Sequence, residues 1–197
     1  VQSGSLFTIT NTHEPETRDI KVTLTWEDDN DRDGLRPDEV TVTLQADGET
    51  IQTIVLNKDN DEQMTVKDLP KNKDGVPIKY TFVQKDVDGY TVTYDVTDEQ
   101  TDITDTHIPE KVSVTVQKIW KDSGHEDSRP DSLTISLYIN GEKSDKTVTL
   151  NEKNGWKGSI DGLYRYEQGK EQTYAFREND IPEGYTSRAE TNGLNTV

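Results

Sequence analysis

The chain has 197 residues, with 39 Asp and Glu against 22 Lys and Arg and a formal net charge of −17 at pH 7. So acidic a surface repels nucleic acid and anionic membrane, which excludes both as expected partners. Cysteine is absent, which excludes disulfides and thiolate zinc sites, and His13, His107 and His125 have no ligand spacing, so no cofactor is expected. With 29% apolar residues any core is thin, and small domains of that kind often carry a staple. No signal peptide and no bilayer-length apolar run is legible, so membrane insertion is not expected, and the chain reads as an internal fragment.

Residues 1–12 end in Ile9-Thr10-Asn11-Thr12 and read as the last strand of an upstream repeat. The run Ser5–Thr12 is either a strand able to add to a neighbour's exposed sheet edge or a loosely packed tail. Short strands are then expected at Ile20-Val22-Leu24-Trp26, Val40-Val42-Leu44, Ile51–Leu56, Ile78-Tyr80-Phe82 and Tyr90–Val96. Between the first two, Asp29, Asp31, Asp33 and Gly34 match the start of a calcium loop. Its twelfth position would be Val40 and no helix flanks it, so the three aspartates are a weak calcium candidate beside a solvated turn.

After the proline-stiffened linker His107-Ile108-Pro109-Glu110, the pattern starts again. Strands are expected at Val112–Trp120, Leu133-Ile135-Leu137, Thr147–Leu150, Tyr174-Phe176 and near Leu194. Ile9-Thr10-Asn11-Thr12-His13 returns as Ile103-Thr104-Asp105-Thr106-His107, and the same 94-residue offset carries Trp26 to Trp120. The period is that of a whole sandwich domain, so the expected domains are 17–106 and 110–197, in a semi-rigid rod. Both tryptophans read as core, and Trp156 as local edge packing.

One residue breaks the alternation. The face Val112, Val114, Val116, Lys118, Trp120 points an ammonium into a core, which is costly unless it is paired or loses its proton. In Tyr174-Ala175-Phe176-Arg177-Glu178, Glu178 shares a face with two aromatics and is a second inward charge. Asn195, in the last strand, aligns with Asn11 and is the third candidate. Burial favours uncharged forms, and those permit amide chemistry. The Lys118 amine attacks the Asn195 carbonyl, Glu178 polarises it and shuttles protons, and ammonia leaves behind an isopeptide bond. This is one turnover on the protein itself, so no enzyme is expected.

The series Val-x-Val-x-Lys118-x-Trp120, Arg129-Pro130, Tyr174-x-Phe176-x-Glu178, Gly184-Tyr185-Thr186 and a closing Ile-Thr-Asn-Thr strand resembles the B-type (CnaB) repeat domains of Gram-positive collagen-adhesin-like surface proteins and pilins. The resemblance implies an all-β chain of two tandem transthyretin-like, inverse immunoglobulin-like sandwiches. It also implies a first-to-last-strand isopeptide and an extracellular place in a cell-wall stalk. Partners would be neighbouring repeats, with host matrix reached through other domains. A ligand-binding adhesin module recognising a host matrix protein is the alternative.

Copy one departs from the pattern. Leu24 stands for Lys118, Gln84 for Glu178 and Asp105 for Asn195, so no isopeptide is expected there. Without a lysine, Asp105 is expected to turn to solvent or accept backbone hydrogen bonds.

Overall fold

The computed structural model describes residues 7–192, 195 and 196, with side chains through Glu190. It divides into two compact units: the chain up to Glu27 with Pro37–His107, and Asp28–Arg36 with the chain from Ile108 on. The grouping of Asp28–Arg36 with the second unit differs from a division at the linker alone.

The first unit contains β1 (Thr17–Glu27), β2 (Glu39–Ala46), β3 (Glu49–Asn57), β4 (Gln63–Pro70), β5 (Asn72–Lys73), β6 (Val76–Pro77), β7 (Tyr80–Gln84), β8 (Thr91–Val96) and β9 (Gln100–Thr106). One sheet runs β4-β1-β9-β8, a second runs β3-β2-β7, and β5 and β6 form a small hairpin. β1 and β9 are parallel, which brings the first and last strands of the unit side by side. Alternation sends Ile20, Val22 and Leu24 of β1 and Val40, Val42 and Leu44 of β2 into one buried cluster with Leu56, Phe82 and Ile103.

The second unit repeats the plan with β10 (Lys111–Gln117), β11 (Ser132–Ile139), β12 (Glu142–Asn151), β13 (Lys157–Tyr164), β14 (Tyr166–Glu167), β15 (Lys170–Glu171), β16 (Tyr174–Glu178), β17 (Thr191–Asn192) and β18 (Asn195–Thr196). Its sheets run β13-β10-β18-β17 and β12-β11-β16. Val114, Val116, Leu137, Leu150 and Phe176 form its core, with Trp120 and Trp156 packed against it. Those two rings meet edge to face at 5.1 Å, so Trp156 packs on Trp120.

Two strands escape period-two reading. On β4 the inward residues are Val66 and Leu69, three apart, because the register with β1 shifts between Arg18 and Ile20. Asp68 takes a φ of 57° inside that bulge, and Gly162 takes 71° at the matching point of β13. The extra residue breaks the alternation that would have betrayed each strand. A second departure concerns the first strands. β1 continues to Glu27, whereas β10 stops at Gln117, so Lys118–Trp120 lie past its end. β9 pairs with β1 as far as Glu27, and among the described residues β18 pairs with β10 at Thr115 and Val116.

Candidate functional site

Lys118 sits one residue beyond β10, its backbone N–H donating to the Trp156 carbonyl at 2.8 Å. Its Nζ lies 2.9 Å from Oε2 of Glu178, the last residue of β16. The Glu178 side chain is 7% exposed and that of Lys118 16%, so both charges sit among core side chains. Ser187 Oγ donates to the same Glu178 oxygen at 2.8 Å, and the Lys118 ammonium lies 4.7 Å from the Trp120 ring centroid. Glu178 Oε1 is buried and has no partner among the described residues. The pair opens on a cavity of about 770 Å³, walled by Val116, Trp120, Phe176 and Tyr185.

A lysine amine is a nucleophile in its neutral form, and a carboxylic acid beside it is placed to polarise a carbonyl and return protons to a leaving group.

Asn195, the third residue of the expected trio, lies in the strand lane beside β10. Its backbone is level with Thr115, three residues short of Lys118. Inward positions on β10 are Val114 and Val116, on either side of Thr115. In the first unit the residue level with Lys21, the counterpart of Thr115, is Gln100, and Gln100 donates to Asp102 at 2.6 Å away from the core. Register therefore matches Asn195 to Gln100, and the sequence match to Asp105 is corrected. Asp105 is level with Trp26 instead.

The first unit sets different residues at the corresponding positions. Leu24 is 5% exposed, Gln84 6% and Asp105 fully buried. Gln84 Nε2 donates to both Asp105 carboxylate oxygens at 2.9 Å. Asp105 thus neither turns to solvent nor relies on backbone donors, because its strand parity locks it inward opposite Gln84. Burial pushes its carboxyl above the ordinary range, opposed by the Gln84 hydrogen bond. Gln84 Oε1 is buried without a partner among the described residues.

Sequence reasoning noted the Arg-Pro pair of each copy but missed what it does. Arg129 grips Asp122 with two bonds, Nε to Oδ2 at 2.8 Å and Nη2 to Oδ1 at 2.6 Å, and Tyr185 donates to Asp122 at 2.9 Å. Arg36 grips Asp28 in the same fork, at 3.0 and 2.6 Å. The Arg129 bonds, chiefly, hold the Asp122 carboxyl down to about 2. The legible signal was an aspartate two residues after each tryptophan, seven or eight before the arginine. In the calcium candidate, Asp29 binds the Arg32 guanidinium at 2.7 Å and Asp31 accepts the Arg36 N–H at 3.0 Å. No cluster able to hold a metal occurs among the described residues. Nor is any described helix long and apolar enough to cross a membrane.

Two tandem sandwiches, each with parallel first and last strands, define a repeat module. The chain belongs to the Cna protein B-type domain family, whose model matches residues 20–106 and 114–197. It is 34% identical over 190 residues to a collagen adhesin of Staphylococcus aureus, covering 96% of this chain but 16% of that protein. It is 32% identical to a solved single B repeat unit of the collagen-binding surface protein of S. aureus, covering 92% of this chain and 97% of that one, at a TM-score of 0.42. A pilus backbone protein of Streptococcus pneumoniae aligns over 87% of this chain and 56% of its own at 16% identity and a TM-score of 0.37.

Proposed function

We propose that the chain is a structural stalk module of a cell-wall-anchored, extracellular adhesin or pilin. Its second unit carries a self-crosslinking centre. Lys118 is the nucleophile and Glu178 the acid and proton shuttle. The electrophile is the side-chain amide of an asparagine level with Trp120 in the lane beside β10.

The observation that carries this reading is the 2.9 Å pairing of Lys118 with Glu178 at the edge of a core. A buried ion pair is weak evidence for stability and better evidence for chemistry. The counterpart positions in the first unit are Leu24 and Gln84, so both reactive groups are replaced together. A link between the first and last strands of a unit would carry tension past the ~75 residues between them, withholding ~250 Å of chain at ~3.3 Å each. On the loop-entropy account the link contributes ~4–5 kcal/mol. The first unit, unlinked, would be the extensible element in series.

The test is a chain extended after Val197 by Ile-Thr-Asn-Thr, which places an asparagine level with Trp120. The extended chain should lose about 17 Da as ammonia leaves, and its Glu178→Ala variant should not. An extended chain of full mass would remove the proposal.

A further inference from the structure

β3 is an open sheet edge. Its sheet runs β3-β2-β7, and among the described residues β3 pairs with β2 alone. In Glu49–Asn57 only the first residue is charged, and Thr50, Ile51, Gln52, Thr53 and Val55 are all exposed. Ile51 is 50% and Val55 38% exposed. The outward sheet surface beside them is uncharged too, with Thr41, Thr43 and Gln45 on β2 and Thr81 and Val83 on β7. An uncharged, β-branched, exposed edge strand is a template for pairing with another chain. The second unit guards the same place. Its β12 carries Glu142, Lys143, Asp145 and Lys146, and its ladder with β11 shifts register between Ser136 and Tyr138. Charges and irregular register are what blunt an edge. β3 has a shift as well, opposite Leu44 and Gln45, but it lies near the strand's start and leaves residues 52–57 in unbroken register.

We propose that two copies of this chain pair through β3, antiparallel about a two-fold axis at Thr53, joining their three-stranded sheets edge to edge. The direction of the peptide groups sets that centre. Lys85 donates its N–H to the Thr41 carbonyl at 2.9 Å, so Thr41 and, by alternation, Thr43 turn their backbone groups toward β7. Val42 and Leu44 turn theirs toward β3, where they meet Ile54 and Gln52, and the N–H and C=O of Thr53 are left on the open edge. Beyond Thr53 the edge closes, because Asn60 Nδ2 donates to the Val55 carbonyl at 2.7 Å and Asn60 Oδ1 accepts the Asn57 N–H at 3.0 Å. Across the axis each Thr53 exchanges both backbone bonds with Thr53 of the other copy, and Val55 comes beside the other copy's Ile51. Antiparallel order also brings Glu49, at the start of β3, toward Lys58, just past its end, so unlike charges meet at both ends of the contact. Two chains of net charge −17 approach here without like charges facing along the paired stretch. The contact is isologous and closes at two copies. One strand per copy covers less than the ~800 Å² per partner of a standard stable interface, so the pairing is weak in dilute solution and favoured where copies are crowded.

The chain has no cysteine, so a single introduced thiol reports the pairing. Thr53→Cys puts that thiol at the axis, where directly opposed residues of an antiparallel pair have Cα atoms ~5.5 Å apart, within disulfide reach. Thr147 is the matched control, exposed on β12 and level with Ser136 as Thr53 is level with Thr43. Under mild oxidation of the full chain, Thr53→Cys should give a disulfide-linked dimer as the main product, and Thr147→Cys should stay largely monomeric. Adding Val55→Glu to Thr53→Cys places a carboxylate on the edge, near Glu49 of the other copy, and should drop the dimer to the control level. Analytical ultracentrifugation of the cysteine-free chain should show an average mass that rises with concentration toward two copies, and Val55→Glu should hold it at one. A Thr53→Cys chain that dimerises no more than Thr147→Cys, a dimer that Val55→Glu leaves intact, or a mass that stays at one copy at every concentration overturns the inference.

Discussion

Asp105→Asn should stabilise the first unit at neutral pH. Asp105 is fully buried, its carboxylate accepts from Gln84 Nε2, and Gln84 Oε1 has no partner among the described residues. An asparagine that turns its amide to face the Gln84 amide can accept from Nε2 through Oδ1 and donate through Nδ2 to Oε1, a reciprocal amide pair. A buried unsatisfied acceptor costs about 1–3 kcal/mol, and the variant also removes a buried carboxylate. Against this stands the loss of a charge-assisted bond, so the net gain is about 1–2 kcal/mol. For a unit of this size that is about 4–8 °C in Tm per kcal/mol. The gain depends on pH in one direction. A carboxyl raised in the folded state binds more protons there than in the unfolded chain. Its contribution is therefore fully present below the ordinary aspartate value of 3.8 and is lost as pH rises through the folded value. The variant's advantage should vanish near about pH 4, where a protonated Asp105 itself donates to Gln84, and widen toward pH 7. Scanning calorimetry across that range should show one of two transitions moving. An unchanged transition at pH 7, or a gap that does not vary with pH, would refute the reasoning.

Leu24→Lys with Gln84→Glu should install the reaction in the first unit, because Asp105 already lies level with Trp26; intact mass should fall by about 18 Da as water leaves. Lys118→Ala alone leaves Glu178 buried without its cation and should cost the second unit about 3 kcal/mol in urea unfolding, whereas Lys118→Leu with Glu178→Gln should recover most of it. Acid should act through Asp122. Its folded carboxyl is depressed to about 2, so its contribution is present above the ordinary aspartate range and lost as pH falls toward about 2. Arg129→Ala should move the acid transition of the second unit to higher pH, read by tryptophan fluorescence.

Much of the architecture was legible because period two is strict where one face is buried. Val22, Leu24, Val40, Val42 and Leu44 are all at 5% exposure or less, on the faces alternation assigns. Lys118 and Glu178 were placed by the same rule, and their side chains meet. β4 and β13 were not legible, since a bulge in each puts the inward residues three apart. The register of Asn195 was not legible for a different reason. Matching it to Asp105 used a local likeness of two or three residues, while parallel pairing counts from the strand start and gives Gln100. A slip in count changes both level and parity, and only the ladder fixes it. The Asp105–Gln84 pairing joins strands β9 and β7 across the core of the unit, a contact no single-strand pattern encodes.

The most direct test of the crosslinking centre is the site of the bond. Tryptic peptides of the extended chain, sequenced by tandem mass spectrometry, should show Lys118 joined to the asparagine added level with Trp120, and no linked peptide from the first unit. A bond from any other lysine, or an unmodified Lys118 peptide in full yield, would contradict the assignment of Lys118 and Glu178 as the reactive pair.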